Sequence, residues 1–267
     1  MKKKPFVILL IILILSLISA ACEGTIQAEK KVIRIGATAG PYSDQIRKGI
    51  QPILEKKGYK VELIEFNDYI QPNVALVNGS IDANVFQNTT YLENYIQENH
   101  VDLTGVIPIP TVPMGLYSKK HDSLKEVKEG TKISLPNDPV NEARALGMLQ
   151  KFGLIKLKPG ADVLHASEKD ITENPKKIEI VPMEAAQLPR SLDDVDFALI
   201  NGNYAIASGL KLGDAINLEQ TPKNYIIVLT VRTSDKEKPF VKDLVDAYRS
   251  KEFDELIDRE FKGFIKP

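Results

Sequence analysis

The chain has 267 residues, with 35 Lys and Arg against 36 Asp and Glu, a formal charge of −1 at pH 7, and a single Cys, Cys22. With no long basic run beyond the first residues, nucleic-acid binding is disfavoured, because neutralising phosphates needs clustered Lys and Arg. One Cys excludes an internal disulfide framework, and the length suits one large or two modest domains.

The first residues read as a secretory signal. Met1-Lys2-Lys3-Lys4 is a compact positive start, Phe6 to Ile18 is apolar except for Ser16, and the small residues Ser19-Ala20-Ala21 precede Cys22. The apolar run is shorter than the roughly 20 residues that a membrane-spanning helix needs. The layout resembles the bacterial lipobox, where the Cys receives a thioether-linked diacylglycerol before cleavage; Ser19 departs from the aliphatic residue usual at its place. Residues 1–21 are therefore expected to be a signal peptide and 22–31 a lipid-anchored tether, placing the body on the extracytoplasmic face of the cell membrane. Two or more acyl chains anchor firmly, since each buried CH₂ contributes about 0.8 kcal/mol.

From Val32 strands and helices alternate. The spacing predicts a strand at 32–37 and, after the turn Gly40-Pro41, a helix marked by Ile46, Ile50, Ile53 and Leu54 that Gly58 ends. Strands at 61–66 and 81–86 flank a helix at 69–78, and 89–99 is a further helix. Three prolines in 106–113 predict an extended crossover, because Pro cannot donate to a central sheet ladder. Beyond it come strands at 114–118 and 131–135, a helix at 140–152, strands at 178–181 and 197–200, and helical stretches at 184–188 and 204–207. A long β-branched run at 225–232 and amphipathic helices at 238–250 and 253–261 close the chain.

Alternation of this kind predicts an α/β fold with helices on both faces of its sheets. The Pro-rich crossover and the polar stretch 219–224 are two places where the chain can pass between lobes. The expected division is lobe 1 at 32–112 plus 226–267 and lobe 2 at 113–225, with a ligand cleft between them.

Three clusters could line that cleft. In Ser134-Leu135-Pro136-Asn137-Asp138-Pro139-Val140-Asn141-Glu142-Ala143-Arg144 a strand ends, Asp138 can cap the next helix and Pro139 suits its first position. Asn141 and Arg144 then share one side of the first turns. An Arg beside a helix N-terminus can receive a carboxylate; the plainer alternative, a capped surface helix with an exposed Arg, is slightly favoured by spacing alone. Tyr69, Phe86 and Tyr91 could form an apolar wall, since Phe86 stands where a strand ends, although pattern alone favours core packing, which explains most aromatics in an α/β protein. Asn201, before a helix, could accept from an ammonium group or make turn bonds.

Catalytic, metal and cofactor signals are lacking. His100, His121 and His165 are scattered, and no HExxH, paired Cys, G-x-S-x-G or phosphate loop is present.

The clusters sit within longer matches: Phe66-Asn67-Asp68-Tyr69, then Gly79-Ser80-Ile81-Asp82-Ala83-Asn84-Val85-Phe86-Gln87, Pro113-Met114-Gly115-Leu116-Tyr117-Ser118, Pro136-Asn137-Asp138-Pro139-Val140-Asn141, Gln187-Leu188-Pro189-Arg190-Ser191-Leu192-Asp193-Asp194 and Leu199-Ile200-Asn201. In this order the chain resembles the methionine-binding lipoproteins of the NlpA/MetQ type, the solute receptors of an ABC importer. The resemblance spans essentially all of the chain after the leader. It implies a two-lobed, type II periplasmic-binding-protein-like fold, monomeric, that closes on a free amino acid and delivers it to a membrane permease with its ATPase. It implies no enzyme activity.

Carried over by the resemblance, Arg144 would hold the ligand carboxylate, Asn141 and Asn201 would contact the ligand backbone, and Tyr69, Phe86 and Tyr91 would enclose its side chain. Asn88 and Tyr225 complete the expected set, and Asn88 is one of two departures. Relatives usually carry His at Asn88, and Asn two residues after the Tyr that aligns with Tyr225, where this chain has Ile227. Either Asn224 compensates for Ile227, or the ligand is another apolar amino acid or a Met-containing dipeptide. Two other classes stay in view. A lipoprotein enzyme on this scaffold would use Glu184 or His165 in the cleft, and an adhesion lipoprotein would have no solute.

Overall fold

The computed structural model describes residues 32–161 and 165–267. The expected signal peptide, Cys22 and the tether lie outside the described residues. In chain order the first elements are β1 (Val32–Thr38), α1 (Pro41–Gln45), a π-turn at Ile46–Ile50, α2 (Gln51–Lys56), β2 (Lys60–Phe66), α3 (Gln71–Val77), β3 (Ala83–Asn88), α4 (Thr89–Asn99) and β4 (Leu103–Pro108). Then follow β5 (Gly115–Tyr117), β6 (Lys132–Pro136), α5 (Pro139–Lys151), β7 (Lys156–Leu157), β8 (Ile171–Glu173), β9 (Glu179–Met183), α6 (Leu188–Ser191), β10 (Phe197–Ile200), α7 (Gly202–Ala207) and β11 (Asn217–Leu218). The chain closes with β12 (Ile227–Arg232), α8 (Pro239–Tyr248) and α9 (Lys251–Glu260).

Two five-stranded sheets organise these elements, in the orders β2-β1-β3-β12-β4 and β11-β5-β10-β6-β9. In the first, β1 runs parallel to β2 and β3, and β12 runs antiparallel to β3 and β4. In the second, β6 runs parallel to β9 and β10, and β5 antiparallel to β10 and β11. Their position explains their composition. β3 and β10, covered on both faces, are buried at every residue, whereas the edge strand β2 carries Lys60, Glu62 and Glu65. Each sheet has its own apolar core: Ile33, Ile35, Val85 and Leu229 in the first, Leu116, Ile133, Leu135 and Leu199 in the second. The fold is therefore two-lobed α/β.

The chain leaves the first sheet after β4 and returns as β12, so two segments join the lobes. Thr111 ties them together. Its Oγ1 accepts from Ile227 N at 2.9 Å and donates to Ile109 O at 2.8 Å, while its backbone bridges Ile265. The crossover expected from residue 106 begins later, because residues 103–108 form β4. Pro108 is accommodated there at the open edge of the sheet. The short pair β7–β8 and the edge strand β11 stand where the periodicity predicts no element.

Candidate functional site

The strand ends decide where polar groups collect. β3 stops at Asn88, which caps α4 by accepting from Tyr91 N at 2.9 Å. β6 stops at Pro136, and Asp138 caps α5 by accepting from Asn141 N at 3.0 Å, with Pro139 in the first turn. β10 stops at Ile200, and Asn201 precedes α7. All three ends open on one small cavity between the lobes.

One wall is aromatic. The rings of Tyr69, Phe86 and Tyr91 lie 5.9 to 6.1 Å apart in a mutually packed triad, and Tyr69 also packs on Tyr204 of the other lobe at 5.0 Å. Burial pushes the Tyr69 and Tyr91 phenols upward, so both stay protonated and donate. Tyr91 donates to Tyr69 O at 3.0 Å, and Tyr69 donates across the cleft to Asn203 Oδ1 at 2.7 Å.

The facing wall is made of carboxamides. Asn141 Nδ2 donates to both Asp138 oxygens, and Asn141 Oδ1 accepts from Asn201 Nδ2 at 3.0 Å. That chain of bonds fixes Asn201 with its Oδ1 buried and unpaired. An unsatisfied buried acceptor costs about 1–3 kcal/mol, so its place in a cavity wall points to a donor on a ligand. Burial first raises the Asp138 carboxyl, and its bonds with Asn141 and the charge of Arg144 only partly offset this, leaving it above its ordinary value.

Arg144, one turn along α5, is buried and holds Glu219 in a two-pronged fork. Its Nε donates to Oε1 at 2.8 Å, and its Nη2 donates to Oε2. Its guanidinium lies 4.6 Å from the centre of the Tyr225 ring, a cation–π contact. Thr221 Oγ1 donates to Glu219 Oε2 at 2.9 Å.

Of the eight residues expected from the sequence, Tyr69, Phe86, Asn88, Tyr91, Asn141 and Asn201 line the cavity; Arg144 and Tyr225 stand together outside its lining. Gln87, Val112, Gly202 and Asn203 complete the wall without having been expected, and Ile227, at the place where relatives carry Asn, lines it too. Asn203 carries a legible signal, two residues after Asn201 at the same strand end. Glu219 carries none, being 75 positions from Arg144. Ile227 and Asn88, the two departures from the family pattern, are partners across the β12–β3 ladder. Asn224 is engaged elsewhere, donating to Thr90 Oγ1 at 2.9 Å, and is not in the lining. Glu184 is exposed and His165 bonds Asn94 at 3.0 Å; neither lines the cavity. Among the described residues no group of three or more His, Cys, Asp or Glu could hold a metal, and no helix is long and apolar enough to cross a membrane.

The sequence profile of the NlpA lipoprotein family matches residues 33–267. The D-methionine-binding lipoprotein MetQ of Salmonella typhi is 43% identical over 255 residues, covering 94% of this chain and 93% of its own. The protein of the same name from Escherichia coli K12 is 41% identical over 251 residues, covering 92% of each. Among solved structures, a nutrient binding protein from Burkholderia cenocepacia bound to methionine superposes with a TM-score of 0.84 at 46% identity, covering 88% of this chain and 99% of that one. The chain belongs to the NlpA lipoprotein family.

Proposed function

We propose that this protein is the substrate-binding lipoprotein of an ABC importer and takes free methionine, or a closely related amino acid, into the cavity between its lobes. The observation that carries the reading is the unpaired Asn201 Oδ1, held by the Asn141–Asp138 chain in a wall that faces three packed aromatic rings. An amino acid supplies both an ammonium donor for that acceptor and an apolar side chain for the rings. The relatives named for D-methionine and the neighbour bound to methionine support the same ligand class.

In this reading Tyr69, Phe86 and Tyr91 enclose the side chain, Asn88, Asn141 and Asn201 hold the backbone, and Arg144, braced by Tyr225, orients toward the carboxylate. Lobe 1 comprises 32–112 and 226–267, and lobe 2 comprises 113–225. The protein catalyses no reaction. It works as a monomer, anchored through Cys22 to the extracytoplasmic face of the membrane, where tethering raises its effective concentration at the permease. Ligand closure presents both lobes to the permease, whose ATPase drives release.

A thermal-shift and calorimetric screen of the purified full-length chain against free amino acids of both hands and Met-containing dipeptides tests this. Methionine is expected to raise the melting temperature by mass action. A screen in which no amino acid or dipeptide does so sinks the reading.

A further inference from the structure

α3 turns Val74 and Val77 to solvent, at 40% and 43% exposure, and buries Asn73 completely beside Pro72 and Leu76. Burying a carboxamide while exposing aliphatics is costly unless its polar atoms find partners. They do. Asn73 Nδ2 donates to Gln87 Oε1 at 2.8 Å, and Gln87 Nε2 donates back to Asn73 Oδ1 at 2.7 Å. Asn84 Nδ2 donates to the same Asn73 Oδ1 at 2.9 Å and to Pro72 O at 3.2 Å, and Gln87 Nε2 also reaches Asn84 Oδ1 at 3.2 Å. Three buried carboxamides, one from α3 and two from β3, thus satisfy one another. Such a network rigidifies the elements it joins, because few relative placements satisfy all of its bonds.

The two elements joined here carry the two halves of the aromatic wall. Asn73 lies one turn beyond Tyr69, and Asp68 holds that turn by accepting from Ile70 N and Gln71 N, both at 2.7 Å. Asn84 and Gln87 stand on either side of Phe86 along β3, and Gln87 itself lines the cavity. The rings of Tyr69 and Phe86 touch only through packing, 6.0 Å between centres, so the placement of α3 on β3 decides how wide the gap beside them is.

We infer that Asn73 is a positioning residue: by binding Gln87 and Asn84 it fixes α3 on β3, and with it Tyr69 against Phe86, so that the site discriminates amino acids by side-chain length. The inference rests on the amino-acid reading above and deepens it. Asn73 acts through the aromatic wall and touches no ligand, so its loss should be felt by the ligand's side chain and little by its charged ends.

Displacement calorimetry on the full-length protein with methionine and alanine tests this, because the two share their charged ends and differ only beyond Cβ. In the wild type methionine is expected to bind about thirtyfold or more tighter, from the apolar surface of its longer side chain. Asn73→Leu keeps the size nearly constant but removes every bond to the Asn73 side chain. It should narrow the ratio by about fivefold or more, mainly through weaker methionine binding. Asn84→Ala takes away one of the two partners of Asn73 without adding volume, and carries the test if Asn73→Leu fails to fold. Leu244→Ala, in the core of lobe 1 and in a different apolar cluster from α3, should lower the melting temperature and leave the ratio unchanged. An unchanged ratio in a folded Asn73→Leu or Asn84→Ala protein, an equal narrowing by Leu244→Ala, or a wild type that binds both amino acids alike would overturn the inference. If methionine binds and these ratios fail, only the inference falls; if neither amino acid binds the wild type, the amino-acid reading falls with it.

Discussion

At the scale of single residues, the site depends on how a few polar atoms are satisfied. Asn201 is positioned by its donor side, because its Nδ2 is committed to Asn141 and its Oδ1 is thereby aimed with no partner. Asn201→Ala removes both the positioned acceptor and its desolvation cost. Methionine affinity should fall by about tenfold to a hundredfold. The ligand-free melting temperature should fall only slightly, because the lost acceptor cost is offset against the Asn141 Oδ1 left without its donor. Equal losses of affinity and stability in paired calorimetry and thermal melts would assign Asn201 to folding alone.

The Arg144–Glu219 fork gives a second residue-level expectation. Burial raises the Glu219 carboxyl, but the charge and hydrogen bonds of Arg144, with Thr221, outweigh it and hold the group below its ordinary value. Glu219 therefore binds fewer protons folded than unfolded, and its contribution is present above the unfolded value and lost as pH falls through the folded one. Against the neutral double variant Arg144→Gln/Glu219→Gln, the wild-type melting temperature should drop more steeply below about pH 5. Asp138, raised chiefly by burial, has the opposite sign, and losing the Arg144 charge in the double variant raises it further, which widens the difference in the same direction. Parallel melting curves across that range would count against the fork as a stabilising pair.

At the scale of elements, the turns at strand ends carry the geometry. Gly202 opens α7 between Asn201 and Asn203, and a Cβ there would stand 2.3 Å from Pro113 O and 2.5 Å from a Val112 methyl. The nearest of these is a backbone atom of the crossover and has no rotamer to retreat into. Gly202→Ala should cost about 1–3 kcal/mol and lower the melting temperature by several degrees, with weaker ligand binding because Val112 and Gly202 both line the cavity. A melting temperature unchanged by the substitution would show that the crossover yields easily.

What the sequence makes legible follows from the range of each interaction. Periodicity and capping are local, so β1, α5 and the Asp138-Pro139 start of α5 can be read from neighbouring residues. β7 and β11 have two residues each and β8 three, too few for any period to be visible. Residues 106–108 read as crossover because Pro108, with Pro110 and Pro113 after it, argues against a central strand, whereas an edge strand tolerates it. The aromatic and Asn positions of the cavity are legible because they follow strand ends. The Arg144–Glu219 fork is not, since nothing near either residue announces a partner 75 positions away. For the same reason Arg144 reads from spacing as an exposed surface Arg, although it is buried.

At the scale of the whole molecule, contacts between the lobes set the position of closure. Tyr69 reaches Asn203 Oδ1, Tyr204 OH donates to Asn67 O at 3.3 Å, and Asn203 Nδ2 reaches Thr38 Oγ1 at 3.4 Å. At the cleft rim the backbone of Gly40, at φ 100°, comes so near α7 that a Cβ on it would lie 2.9 Å from the Ala207 methyl. Ala207 itself is exposed, so a larger side chain there has room while the lobes are apart and meets Gly40 only when they close. Ala207→Leu should therefore leave the ligand-free melting temperature nearly unchanged and weaken methionine binding by about tenfold or more, because a ligand gains affinity from closure only as far as the closed state is reachable. Small-angle scattering gives the deciding measurement. The wild type should contract on adding methionine and Ala207→Leu should not; contraction of both to the same radius would place the closing contact somewhere other than the Gly40–Ala207 rim.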